Sequence, residues 1–335
     1  MGVRQLRKIQ LGKEASGSYG TAVTATAIWR GTGTLRDDRE VMFGTEDVGI
    51  LGGTDRSFTQ KLQASLAMSE TEATFEQLPY ILEGGIKKVG TGSADGLGTD
   101  KIYTYPLSTT AINTIQAFTI EGGDNVSAER MEYSVVTDFT LAGQVYKPIT
   151  MTANWIGRQS SPNAFTGSVP LIAVDTAIMF GTGKLYIDDI GGTIGTTQVS
   201  GSLKGMTLKV KTGVEPLPSV ENLYYTTAAI IDPSVTMDLV FYWDSNTVTE
   251  KTKFVSETSR LIRLKWEGPA VAIAGTTYSK KTLMIDLPGG KWTKWSELQD
   301  DGGHDIVTAS YEWRYNTTAA SAVQFVVVNE VTTLP

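Results

Sequence analysis

The side chains that could carry acid–base, metal or nucleophilic chemistry are few and scattered. The 335 residues hold one histidine, His304, and no cysteine. Without cysteine there is no disulfide, no thiolate nucleophile and no thiolate metal site. His304 lies in Asp300-Asp-Gly-Gly-His-Asp305, a run that invites reading as a cation loop or an acid–base pair. Its spacing fits no EF-hand, and a lone imidazole with no second nitrogen or sulfur ligand makes no metal centre. The run reads as a glycine-rich acidic hairpin turn. Asp37-Asp38 and Asp188-Asp189 also fall at turn positions, where carboxylates cap backbone amides. Gly31-Thr-Gly33 and Gly181-Thr-Gly183 lack the third glycine and the strand-to-helix setting of a dinucleotide loop, and neither a P-loop nor a nucleophile elbow occurs. Two acids brought close by the fold, as in glycosidases, would leave no sequence signature. Trp292-Thr-Lys-Trp295 is either a sugar platform or packing, and packing is the commoner fate of such a cluster. No catalytic residue, cofactor or metal is expected.

The elements that would position these residues are strands. Met131, Tyr133, Val135, Phe139 and Leu141 share one parity, and Glu132, Ser134, Asp138 and Thr140 the other. Such alternation puts the first set on a core and the second in water. After Gly143, a second run sets Val145, Ile149, Met151, Ala153 and Trp155 against Thr150, Thr152 and Asn154, which predicts an antiparallel hairpin. Further strands are predicted at 62–68, 117–121, 206–210, 235–241, 262–266, 283–287, 306–315 and 323–329. Ser69-Glu-Thr-Glu72 has the form of a capping box and predicts a helix carrying Phe75, Leu78 and Leu82, shortened or kinked by Pro79 and ended by Gly84-Gly85. A second helix is predicted near 249–257. The fold class is mainly β.

Both halves share an order of elements, namely strand, helix, strand and hairpin, with a Ser/Pro/Asn/Gly connector at 159–168 between them. This divides the chain into an N-terminal arm (1–45), a first domain (46–160) and a second domain (161–335). Within the arm the stretch Gly12–Gly33 is dense in Gly, Ala, Ser and Thr, with single apolar anchors at Tyr19, Ile28 and Trp29. It cannot bury a face alone, so Trp29 must pack on its own body or on a neighbour. Deleting 1–30 is expected to leave a folded subunit that cannot polymerise.

The net charge is −7, and both halves carry slightly more acids than bases. That excludes the basic surplus of a tight nucleic-acid binder. The local exception, Arg4, Arg7, Lys8 and Lys13, reads as a solvated arm. The start has no secretory h-region and no run is long enough to span a bilayer, so synthesis in the cytoplasm and no membrane partner are expected.

Several segments are similar to one family. Gly12-Lys-Glu to Gly20-Thr-Ala-Val-Thr-Ala-Thr, Trp29-Arg-Gly and Glu46-Asp-Val-Gly-Ile resemble the opening of major tail tube proteins of siphoviruses. So do Glu72-Ala-Thr-Phe-Glu-Gln-Leu-Pro-Tyr, Thr119-Ile-Glu-Gly-Gly-Asp-Asn, Met131-Glu-Tyr-Ser and Trp155-Ile-Gly-Arg158. Leu261-Ile-Arg-Leu-Lys-Trp-Glu-Gly-Pro, Asp286-Leu-Pro-Gly-Gly-Lys-Trp and Val326-Val-Val-Asn329 extend the likeness over most of the chain.

The resemblance implies two tandem tail-tube-like antiparallel β-sandwich or barrel domains, each with a short packed helix, behind an extended arm. It implies a structural protein of the virion tail whose rings stack into a tube that conducts double-stranded DNA without tight binding. Rings would be trimers with pseudo-sixfold symmetry, or hexamers, and the tape-measure and terminator proteins of the tail would be partners. Glu132, Ser134, Asp138, Thr140, Thr150, Thr152 and Asn154 would face the lumen, or else bulk solvent. Arg4, Arg7, Lys8, Tyr19 and Trp29 would form an inter-subunit arm. Arg263 and Lys265 speak against a uniformly acidic lumen. The alternatives are a head decoration protein, a tail-tip adhesin or a β-sandwich carbohydrate-active protein.

Overall fold

A computed structural model describes residues 1–107, 110–318 and 322–334. The alternating segments all become strands. The first half contains β1 (Lys8–Lys13), β2 (Ala27–Ile28), β3 (Gly33–Asp37), β4 (Glu40–Phe43), β5 (Ser57–Lys61), β6 (Ala64–Glu72), α1 (Leu78–Gly85), β7 (Ser93–Ala94), β8 (Lys101–Pro106), β9 (Phe118–Gly123), β10 (Ala128–Gln144), β11 (Thr150–Gly157) and β12 (Ser160–Asn163). The second contains β13 (Gly183–Asp189), β14 (Gln198–Val199), β15 (Leu203–Lys211), β16 (Val214–Pro218), β17 (Tyr225–Ile230), β18 (Ser234–Tyr242) and α2 (Ser245–Val255). It ends with β19 (Arg260–Ala270), β20 (Lys280–Leu287), β21 (Gly290–Trp295), β22 (Gln299–Asp301), β23 (His304–Trp313) and β24 (Gln324–Asn329).

Two antiparallel sheets pack face to face. Within the larger one, neighbouring strands run β3-β6-β11-β10 and continue β15-β18-β23-β21. The two runs have the same chain order, with first, second, fourth and third strands side by side. Each has a hairpin between its first and second strands (β4–β5, β16–β17) and a helix after the second. The smaller sheet runs β14-β13-β19-β20-β24-β8-β7. Strands from both sides of residue 160 therefore meet in both sheets, at β10–β15 and β24–β8. One core fills the space between, with Trp155, Phe139, Leu208, Leu239 and Tyr311 from the large sheet and Leu264, Ile285 and Phe325 from the small one. Phe139 and Phe325 meet edge-on across it at 5.8 Å.

The segment 69–72 is not a helix cap. It continues β6, and none of its four polar residues is buried. The helix starts later, where Thr74 Oγ1 accepts the Gln77 N–H at 3.1 Å and Pro79 occupies the first turn, a place where a missing N–H costs nothing. Pro79 therefore starts α1 without kinking it. Gly84 and Gly85 let α1 lie directly on the sheet, since a Cβ there would meet the Trp155 ring and Val136. The second helix begins a turn before its expected start, capped by the Asp244 carboxylate, which accepts the Thr247 N–H at 2.9 Å. It packs behind β21, where Glu250 accepts the Trp292 indole N–H at 3.0 Å.

Most of residues 1–45 is built into the body. β1 is an inner strand between β2 and β9, with Leu11 fully buried, and Trp29 is 3% exposed. Among the described residues no helix is long and apolar enough to cross a membrane.

Candidate channel face and sheet edges

The large sheet has one dry face and one wet face. In the predicted hairpin, Asp138 lies opposite Asn154, Thr140 opposite Thr152 and Ala142 opposite Thr150. Asn154 Nδ2 donates to Asp138 Oδ1 at 2.7 Å, tying the pair across the strands. The structure thus brings Asp138, Thr140, Thr150, Thr152 and Asn154 together on one open surface.

It does not bring Ser134 or Glu132 there. β10 is bulged between Met131 and Ser134 and again between Val136 and Asp138, and each bulge shifts the side-chain phase. Ser134 is fully buried, and Val135 and Val136 are both buried on opposite sides. Tyr133 sits at the first bulge with φ of 51°, and its freed N–H donates to the buried Glu14 carboxylate at 2.8 Å. Glu14 also accepts the Gly20 N–H and the Thr119 hydroxyl at 2.6 and 2.9 Å. Burial pushes its pKa up against those hydrogen bonds. Glu132 lies in the first bulge beside Tyr133, and its carboxylate accepts from Gln159 Nε2 at 2.9 Å.

The wet face continues through the second half. Lys211 and Lys209 lie opposite Asp138 and Thr140, Thr207 opposite Asp238, and Asp238 opposite Ser310. Glu312 lies opposite Lys291, and Ser310 opposite Lys294. Sequence reading missed these positions, although Lys209/Lys211, Thr236/Asp238 and Thr308/Ser310/Glu312 alternate as plainly as the first hairpin. At one end the β16–β17 hairpin closes over this face. Tyr225 and Val214 pack on Tyr133 and Val135, and Arg158 donates to the carbonyls of Tyr225 and Thr226 at 2.9 and 3.0 Å.

The arm residues divide. Trp29 is in the subunit core, because the indole gains more from burial there than a free arm could offer. Tyr19 packs on the Tyr133 ring at 5.6 Å and donates to the Ile115 carbonyl at 3.0 Å. Lys8 lies over the Phe165 ring at 4.2 Å. Arg4 and Arg7 remain exposed.

The remaining candidates for chemistry are structural. His304 pairs with Asp301 across a two-glycine turn, Gly302 and Gly303 having φ of 63° and 90°. Asp188 accepts N–H groups from Gly195, Thr196 and Thr197 at 2.7, 3.2 and 2.7 Å. Burial opposes its ionisation, but these bonds and the Thr196 hydroxyl prevail and hold its pKa below the usual carboxylate range. Trp292 and Trp295 pack on each other edge-on at 5.9 Å, beneath α2. Arg263 belongs to the small sheet, where it pairs bidentately with Asp286 at 2.6 and 2.7 Å. Among the described residues no group of three or more His, Asp or Glu side chains is placed to hold a metal ion.

A sequence profile of the phage tail tube proteins matches residues 5–314. The chain belongs to that family. No individually curated protein matches it. As a phage tail tube protein it is a structural component of the tail, and its family is not one of enzymes. For a tube protein the outer strands matter as much as the face. β3 is bonded only to β6, and β21 only to β23, so each end of the eight-strand run presents unpaired backbone groups among the described residues. The face itself is mixed in charge. Glu70, Glu72, Asp138, Asp238 and Glu312 are interspersed with Arg36, Lys209, Lys211, Lys291 and Lys294.

Proposed function

We infer that this protein is the ring-forming subunit of a long, non-contractile siphovirus tail, and that its wet sheet face lines the channel through which double-stranded DNA passes. The observation that carries this reading is the continuous sheet with one polar face, an apolar back and two unpartnered edges. An open run of this length invites uncontrolled pairing unless its edges are used. A ring of copies uses them and encloses the polar face. The mixed charge favours passage over capture, because counterion release on a basic wall would hold the duplex. In this reading the two four-strand runs are two tube-like units. The first starts at β3, inside the stretch that sequence assigned to the arm, and the second starts near β13. Two units per chain favour a trimeric ring with pseudo-sixfold symmetry over a hexamer. Arg4 and Arg7 are the part of the arm free to reach a neighbour, and the tape-measure and terminator proteins are the expected tail partners.

Negative-stain images of the purified protein test the reading. Stacked rings or hollow filaments are expected, and a strictly monomeric particle at high concentration would overturn it.

A further inference from the structure

Resting on that reading, we propose that β3 of one copy pairs antiparallel with β21 of the next, in the register that β10 and β15 use inside the chain. The internal junction is the template. There, the third strand of the first run meets the first strand of the second, with Asp138 opposite Lys211, Phe139 opposite Val210 and Thr140 opposite Lys209. The free edges are the same two elements in reverse company: β21 is a third strand and β3 a first strand. A third strand can again meet a first strand at these edges only if another copy supplies the partner, so the contact is head-to-tail.

The rows fix the register. Val136, Trp155, Leu66 and Leu35 form one row across the first run. In the second run the row Lys291, Glu312, Thr236 and Lys209 is continuous, as Asp138, Asn154, Ala67 and Thr34 are in the first, so the adjacent Gly290, Trp313, Val235 and Val210 hold the matching positions, each run having a tryptophan in its fourth strand. Leu35 then corresponds to Val210, Thr34 to Lys209, Trp292 to Phe139 and Lys294 to Thr140. The new junction places Leu35 opposite Trp292 and Thr34 opposite Lys294. The match also gives the sheet a stagger. Partners followed from Thr34 through Ala67, Asn154 and Asp138 reach Lys211, the counterpart of Arg36 and not of Thr34. A sheet can close into a barrel only with such an offset.

The hairpins agree. β16–β17 is held on the first run by Tyr225 and Arg158. Its counterpart β4–β5 touches little of its own chain and exposes Phe43, Phe58 and Leu51 at 68%, 52% and 108%. On the second run, the place beyond β23 that matches the β16–β17 site is an apolar groove lined by Ile112, Ile231, Trp313 and Tyr315. The β4–β5 hairpin of the next copy is its occupant.

The test is a cysteine pair in the full chain, which has no native thiol. Thr34→Cys with Lys294→Cys, both at exposed positions, is oxidised in assembled tubes and run on a non-reducing gel. A ladder of covalent multimers is expected, absent from each single variant. Tubes that form without a ladder would overturn the pairing and leave the tube reading intact, whereas a wild-type chain that stays monomeric would overturn both. In parallel, Phe43→Asp with Phe58→Asp should keep the monomer's thermal melt and abolish tubes. Unimpaired tubes from that variant would remove the hairpin from the interface.

Discussion

Single buried charges in this protein are held by bonds that pH and mutation can address. Arg260 and Glu250 form a bidentate pair at 3.0 and 2.8 Å, both almost fully buried, and Glu250 also takes the Trp292 N–H. Removing Glu250 takes away the buried partner of Arg260 and leaves its guanidinium paired only to the exposed Asp189 carboxylate among the described residues. Glu250→Ala is expected to cost about 3–5 kcal/mol in a denaturant titration, whereas an exposed ion pair would cost under about 1 kcal/mol. Asp188 supplies the acid sensitivity of the β13–β14 loop. Its folded pKa lies below the unfolded value of about 3.9, so the stability it adds is present above that value and is lost as pH falls through the lower folded one. Asp188→Asn should lower the melting temperature at pH 6, and the gap to wild type should narrow at pH 3. An unchanged gap would remove Asp188 from the acid response.

At the scale of elements, alternation was legible wherever a strand keeps its phase, as in the β10–β11 hairpin from Asp138 onward and in β15, β18, β20 and β23. It failed where phase is broken from outside. Ser134 carries the right parity, but the bulge stabilised by Glu14, more than a hundred residues earlier in the chain, turns it inward. No local pattern encodes that. The capping box at 69–72 failed for a related reason, since cross-strand pairing with β11 outweighed a helix-start motif. The arm was misread because β1 is short and its register partner β9 lies far off in sequence. Its placement reverses the expectation for the deletion of 1–30. That deletion strips an inner strand and Trp29 from the core, so it should abolish the cooperative thermal melt. A folded, soluble remnant with native near-ultraviolet circular dichroism would count against this.

For the molecule as a whole, the candidate face was half readable. Of the residues expected there, Asp138, Thr140, Thr150, Thr152 and Asn154 share one face, but their neighbours in β3, β6, β15, β18, β21 and β23 depend on which strands meet, and strand order is not written in local periodicity. If this face lines a closed channel, Thr152→Cys should react with a small maleimide in monomer and tube alike. A polymer-linked maleimide too large to enter should modify only the monomer. Equal labelling by both reagents in assembled tubes would place the face outside.

The covalent joining of two like four-strand runs has a kinetic consequence. If the two runs are successive units of a tube wall, every second lateral seam is present in the chain before any two molecules meet, already in register. Assembly then has fewer encounters to complete before a ring closes, and each carries less loss of translational freedom than single-unit building blocks would impose. Nucleation should therefore depend on protein concentration with a lower apparent order than in a tube made from one-run subunits.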